Sequence, residues 1–99
     1  MVKHVLLFKL RDMDSPEEKM RIMLEIKSKL EGLKELIPAI LSIEVGINQN
    51  PKESFDIALI TIHADWEGLA AYRDDPKHVA VAQFIGQYRE SRSCADFEF

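Results

Sequence analysis

An α+β sandwich, one antiparallel sheet with helices on a single face, is the fold class that this 99-residue chain predicts. Two observations predict it. Apolar residues alternate with period two in four short stretches, as half-buried strands require. Long runs with helical period separate the first stretch from the second and the third from the fourth. The order is strand, helix, strand, strand, helix pair, strand.

Each element has its own warrant. Val2, His4, Leu6, Phe8 and Leu10 share one face of the first strand, and Lys3, Val5, Leu7 and Lys9 share the other. Both faces carry apolar residues, so both are expected to be at least partly covered. Asp12 to Asp14 reads as a turn. Ser15-Pro16-Glu17-Glu18 is a helix start: Ser15 caps, Pro16 suits the first helical position and Glu18 completes the capping box. Ile22, Met23, Ile26, Leu30, Leu33 and Ile37 follow at helical spacing, and the helix is expected to reach about Leu36, stopped by Pro38.

Ile40 to Ile47 alternates again, with Leu41, Ile43, Val45 and Ile47 opposite Ser42 and Glu44. Asn48 to Glu53 is a polar loop rich in turn formers. Phe55 to Ile62 reads as the third strand. Asp65 caps a short helix carrying Trp66, Leu69, Ala70 and Tyr72. After Pro76 a second run, Val79 to Tyr88, continues as a helix. Ser91 to Phe99 closes the chain as a strand, with Ala95, Phe97 and Phe99 on one face. This βαββαβ order is that of a ferredoxin-like sandwich in one domain, residues 1–99. Such a sandwich leaves one sheet face bare. The residues expected there are Leu41, Ile43, Val45 and Ile47 or their counterparts on other strands. An apolar face of that size implies a partner, and a second copy related by two-fold symmetry is the simplest one.

Composition narrows the function. The net charge of −4 comes without a basic patch, which argues against nucleic-acid binding. Lys27, Lys29 and Lys34 interleave with Glu25, Glu31 and Glu35, as on a solvated helix face. No stretch reaches the roughly 18 apolar residues of a membrane span. One cysteine, Cys94, allows no intrachain disulfide, and a cytoplasmic location is expected. Cys94 reads as a small strand residue, since no histidine neighbours it in sequence. Three histidines without His-x-His or His-x-x-x-His spacing indicate no metal site, and no cofactor is expected. Glycine-rich phosphate loops and Gly-x-Ser-x-Gly elbows are absent.

The chemistry concentrates in Tyr72-Arg73-Asp74-Asp75-Pro76-Lys77-His78. A phenol and an imidazole flank a helix-interrupting proline, so both can project into one cleft. An imidazole, which ordinarily titrates near about 6.5, suits proton transfer at neutral pH. A phenol can hold a carbonyl oxygen and stabilise an enolate. The bland alternatives stand beside these: His78 as a helix-start residue whose ring packs on the sheet and bonds a backbone carbonyl, and Tyr72 as an amphipathic residue at a helix edge. His4 lies with Leu6 and Phe8 and joins the set if that face lines the same cavity. His63, before a helix cap, reads as surface. Asp56 reads as bonding the preceding loop, with orienting a histidine as the alternative, and Trp66 as packing over a cavity mouth or a dimer edge.

Val2 to Lys9, Ile37-Pro38-Ala39-Ile40 with Glu44-Val45-Gly46, Phe55 to Leu59, Leu69 to Tyr72 with Pro76 to Val79, and Asp96-Phe97-Glu98 together resemble the stress-responsive A/B barrel domain (Dabb) family. The resemblance spans nearly the whole chain and rests on order and spacing. It implies a homodimer in which two ferredoxin-like subunits form one dimeric α/β barrel. It also implies a pocket in each subunit for a small organic ligand, with His4, Tyr72 and His78 as the binding residues. The family includes a plant polyketide cyclase that works by an aldol-type step. In it, residues matching Tyr72 and His78 form the catalytic pair and one matching His4 sits by the pocket. A further histidine of that pocket falls on Ile57 here, and Asp75 stands where the family often has histidine. Some members hold a cation near the helix exit, where Lys34, Leu36 or Ile37 would offer carbonyl oxygens. Three readings follow: a ligand-binding module, a cofactor-free cyclase-like enzyme, and a purely structural dimer. Haem-degrading and antibiotic-oxidising enzymes share the dimeric barrel, so an oxygenase is a further alternative.

Overall fold

A computed structural model describes residues 1–99. The elements are β1 (Val2–Leu10), α1 (Pro16–Gly32), β2 (Ser42–Ile47), β3 (Ile57–His63), α2 (Trp66–Asp74), α3 (Pro76–Gly86) and β4 (Arg89–Glu98). The sheet runs β2-β3-β1-β4 and every neighbouring pair is antiparallel. This is the ferredoxin-like α+β fold.

The helix starts are set locally. Ser15 Oγ accepts the Glu18 amide at 3.1 Å, and Asp65 Oδ1 accepts the Gly68 amide at 2.8 Å. Asp75 Oδ1 accepts the Lys77 amide at 2.8 Å, so Asp75 is the cap of α3. Helix α1 stops at Gly32, earlier than Leu36, and tightens into a 3-10 turn over Leu33–Glu35. The amides of Leu36 and Ile37 both donate to the Leu33 carbonyl, at 3.0 and 2.9 Å. The tighter turn satisfies carbonyls that the approach to Pro38 would otherwise leave free.

The core lies between helices and sheet. Ile22, Met23, Ile26, Leu30 and Leu33 of α1 and the following turn meet Leu6, Phe8, Val45, Ile57 and Leu59 of the sheet. Strand register shows which side chains share that face. Val45 stands opposite Leu59 and Leu59 opposite Leu6, so Ile43, Val45 and Ile47 point toward the helices. The bare face is therefore not the one named from β2. It carries Val5 and Leu7 of β1, Ala58, Ile60 and Ile62 of β3, and Ala95 and Phe97 of β4. Alternation in β2 reports apolar and polar sides correctly; apolar residues on both sides of β1 and β3 hide which side the helices cover. On this face Val5, Leu7, Ile60 and Ile62 are half-buried and Phe97 is 45% exposed.

The helices cover β2, β3 and β1 and leave β4 exposed along its length. The gap between the helix pair and β4 is where the site forms.

Candidate functional site

A cavity of about 300 Å³ opens between α2, α3, β1 and β4. Leu6, Phe8, Leu30, Leu59, Leu69 and Ile85 form its apolar wall, and His4, Tyr72 and His78 all line it. Strand β1 places His4 on the face beneath the helices, α2 carries Tyr72, and the first turn of α3 carries His78.

Tyr72 is the centre of this arrangement. It is 1% exposed and its hydroxyl has no hydrogen-bond partner. Burial alone pushes its pKa up to about 12, so the phenol is a neutral O–H donor across the physiological range. Its ring lies 4.4 Å from that of His78, 5.1 Å from that of His63 and 6.3 Å from that of His4, centroid to centroid. All three histidines of the chain thus surround one tyrosine.

His78 is half-buried, and its Nδ1 lies 2.9 Å from the Arg73 carbonyl. A carbonyl can only accept, so Nδ1 carries the proton and Nε2 is left with a free lone pair. The bond to a carbonyl matches the bland expectation for this residue; packing on the sheet does not, because the ring rests on Tyr72 instead.

His63 is fully buried and not at the surface. Its Nδ1 bonds the Ala39 carbonyl at 2.7 Å and its Nε2 meets Thr61 Oγ1 at 2.9 Å. Burial lowers its pKa, the Ala39 bond opposes that shift, and weaker influences come from His4 and Asp96. The proximity of a helix cap misled the surface reading: Val2 pairs with His63, which puts it on the covered face.

At the open edge His4 Nδ1 donates to Asp96 Oδ1 at 2.5 Å. Cys94 Sγ lies 3.5 Å from both atoms. Burial, followed by the Asp96 charge and hydrogen bond, pushes the Cys94 thiol up, and Arg92 partly offsets this. A raised thiol is a poor nucleophile. Asp96 and Cys94 could not be paired with His4 from spacing, because strand pairing joins residues some ninety positions apart. Arg73, Arg89 and Arg92 also line the cavity and make its rim basic despite the acidic chain.

Other candidates fall elsewhere. Asp56 Oδ2 accepts the Leu10 amide at 2.7 Å and Oδ1 lies 3.5 Å from Lys19 Nζ, so its side chain ties the end of β1 rather than a histidine, and only its carbonyl holds the preceding loop, accepting the Asn48 amide at 2.8 Å. Trp66 is 47% exposed and donates to Glu98 at 2.5 Å. The Ile37 carbonyl already accepts the Ile40 amide at 3.1 Å.

Over residues 2–99 the sequence matches the family model described as the stress responsive A/B barrel domain, Dabb. The chain belongs to this family. No curated protein matches it. Among solved structures, a dimeric protein of unknown function and ferredoxin-like fold from Bacteroides fragilis is 42% identical. It superimposes with a TM-score of 0.93 over 99% of this chain and 95% of that one. A dimeric ferredoxin-like protein of unknown function from Thermobifida fusca is 22% identical, with a TM-score of 0.80 over 99% and 90% of the two chains. Hydroxynitrile lyase from Passiflora edulis is 13% identical, with a TM-score of 0.77 over 97% and 90%. The last two share the fold with this Dabb chain. No helix is long and apolar enough to cross a membrane.

Proposed function

We propose that this Dabb protein is a homodimer, joined through its helix-free sheet face, whose subunits each bind a small, partly apolar organic molecule beside His4, Tyr72 and His78. The observation that carries the ligand reading is the Tyr72 hydroxyl, buried without a partner on the wall of a cavity of about 300 Å³. A buried polar group left unpaired costs about 1–3 kcal/mol. A ligand oxygen accepting that proton would recover it, while the ring or chain of the ligand meets Leu6, Phe8 and Leu59. The dimer reading is supported by the half-exposed apolar strip of Val5, Leu7, Ile60, Ile62 and Phe97 and by the dimeric neighbour from Bacteroides fragilis. A patch of this kind is uncommon on a monomer unless it binds something. Thermal shift against small cyclic carbonyl compounds tests the ligand reading. At least one compound raises the melting temperature of the wild type and raises that of Tyr72→Phe less; equal shifts in both would refute the role of the hydroxyl.

The contact between Tyr72 and His78 favours a second reading, cofactor-free proton transfer next to a carbonyl. His78 Nε2, free because Nδ1 is committed to the Arg73 carbonyl, would take a proton from the carbon beside the carbonyl. The neutral Tyr72 hydroxyl would donate to the carbonyl oxygen as it becomes an enolate. The resulting carbanion would then attack a second carbonyl, as in an aldol step, with His78 returning the proton to the new alkoxide. Under this reading the wild type turns over a compound that it binds and His78→Ala removes turnover while keeping the fold; a wild type that binds such compounds without turning any over would leave the binding module.

A further inference from the structure

His4, Cys94 and Asp96 reach one point from two adjacent strands. The register sets His4 opposite Asp96 and Leu6 opposite Cys94, so all three side chains leave the sheet on its helix side. Their ligating atoms differ in type: an imidazole nitrogen, a thiol sulfur and a carboxylate oxygen. A nucleophilic cysteine would use the two nitrogens of the histidine separately, thiol on one and carboxylate on the other. Here both contact the same atom, Nδ1. The imidazole cannot relay a proton between them.

The same convergence matches one face of a metal tetrahedron. Bond lengths of about 2.3 Å to sulfur and about 2.0–2.2 Å to nitrogen and oxygen place a tetrahedral sulfur about 3.5 Å from each partner. Sγ lies 3.5 Å from Nδ1 and 3.5 Å from Oδ1. The nitrogen and oxygen would stand about 3.4 Å apart around such an ion; they are 2.5 Å apart. Two edges are therefore in place, and the third needs Asp96 to open by less than about 1 Å. Asp96 is on strand β4, which is exposed along its length.

We propose that His4 Nδ1, Cys94 Sγ and Asp96 Oδ1 form a site for a borderline-soft divalent transition metal, zinc foremost, with its fourth position open to the cavity. A thiolate with an imidazole selects against magnesium and calcium, which take oxygen ligands. On binding, the thiol releases its proton to solvent and the imidazole proton is carried on Nε2. Thiolate and carboxylate then balance the two charges of the ion. An independent feature points to an occupant: Tyr72, whose hydroxyl is buried and unpartnered, lines the same cavity and would supply a donor for a water or ligand oxygen on the open position. The site faces away from the sheet surface assigned to the dimer, and it stands whether or not an organic ligand is bound.

Cobalt(II) added to the reduced, chelator-treated protein provides the test. The expected result is a thiolate-to-cobalt charge-transfer band in the near ultraviolet with tetrahedral bands in the visible, saturating at one ion per chain and erased by zinc. Cys94→Ser removes the band. His4→Gln and Asp96→Asn each weaken cobalt binding by more than about tenfold. Absence of the band overturns the proposal, and so does a band that Asp96→Asn leaves unchanged, since that is capture by the cysteine alone. Asp96 is exposed, so its variant decides the matter even where His4→Gln unfolds.

Discussion

The ring of His78 rests 4.4 Å from the ring of Tyr72, and a single backbone device sets that spacing. Helix α2 ends at Asp74, Asp75 turns the chain into extended geometry, and Pro76 opens α3. His78 returns over the last turn of α2 and bonds the Arg73 carbonyl, one of those that a helix end leaves free.

Asp75→Ala removes the side chain that caps α3. The expected cost is about 1 kcal/mol in urea unfolding, within the usual range for a lost N-cap. Asp75→Asn should retain most of the stability. A loss as large for Asn as for Ala would show that the cap is not what Asp75 contributes.

Tyr72→Phe separates stability from binding. The hydroxyl is buried and unpartnered, so removing it relieves a desolvation cost of about 1–3 kcal/mol. The variant is expected to melt at the same temperature as the wild type or higher. A clear fall in melting temperature would mean that the hydroxyl is satisfied within the fold and is not reserved for a ligand.

His63 predicts a pH dependence. Its folded-state pKa lies below the ordinary 6.5, because burial disfavours the charged ring. The unfolded chain therefore binds more protons at acid pH, and stability is full above about 6.5 and declines as pH falls through the folded value. The groups facing His63 are the Ala39 carbonyl, Thr61, the Tyr72 ring, and more distantly His4 and Asp96. His63→Gln should flatten the slope of unfolding free energy below about pH 6.5. An unchanged slope would assign the acid sensitivity elsewhere.

Ile60→Glu tests the dimer. Its side chain lies on the helix-free face beside Val5 and stands clear of the core. A charge there should convert a dimer into an 11.4 kDa monomer in light scattering, with the secondary structure kept. A wild type that is already monomeric at micromolar concentration would refute the sheet-to-sheet assembly.

The elements were legible because their signals are local. Ser15, Asp65 and Pro76 mark helix starts within four residues of themselves, and alternation marks the strands. What was illegible is set by pairing across the sheet. Ile43 and Val45 carry no sign of which face the helices choose until Val45 is placed against Leu59. His63 looks like a surface residue until Val2 is placed beside it. Tyr72, His78 and His4 could be named from type and spacing together with a family resemblance, but Asp96 and Cys94 could not, because only the β1–β4 register brings them to His4.

The central claim is that the cavity beside Tyr72 receives a small molecule. Its most direct test is a crystal structure soaked with a panel of small cyclic carbonyl compounds. The account predicts a bound compound in contact with Leu6, Phe8 and Leu59, its oxygen within hydrogen-bond distance of Tyr72 Oη and near the His78 ring. A cavity filled by the protein's own side chains, with Tyr72 Oη bonded to a protein group, would contradict it.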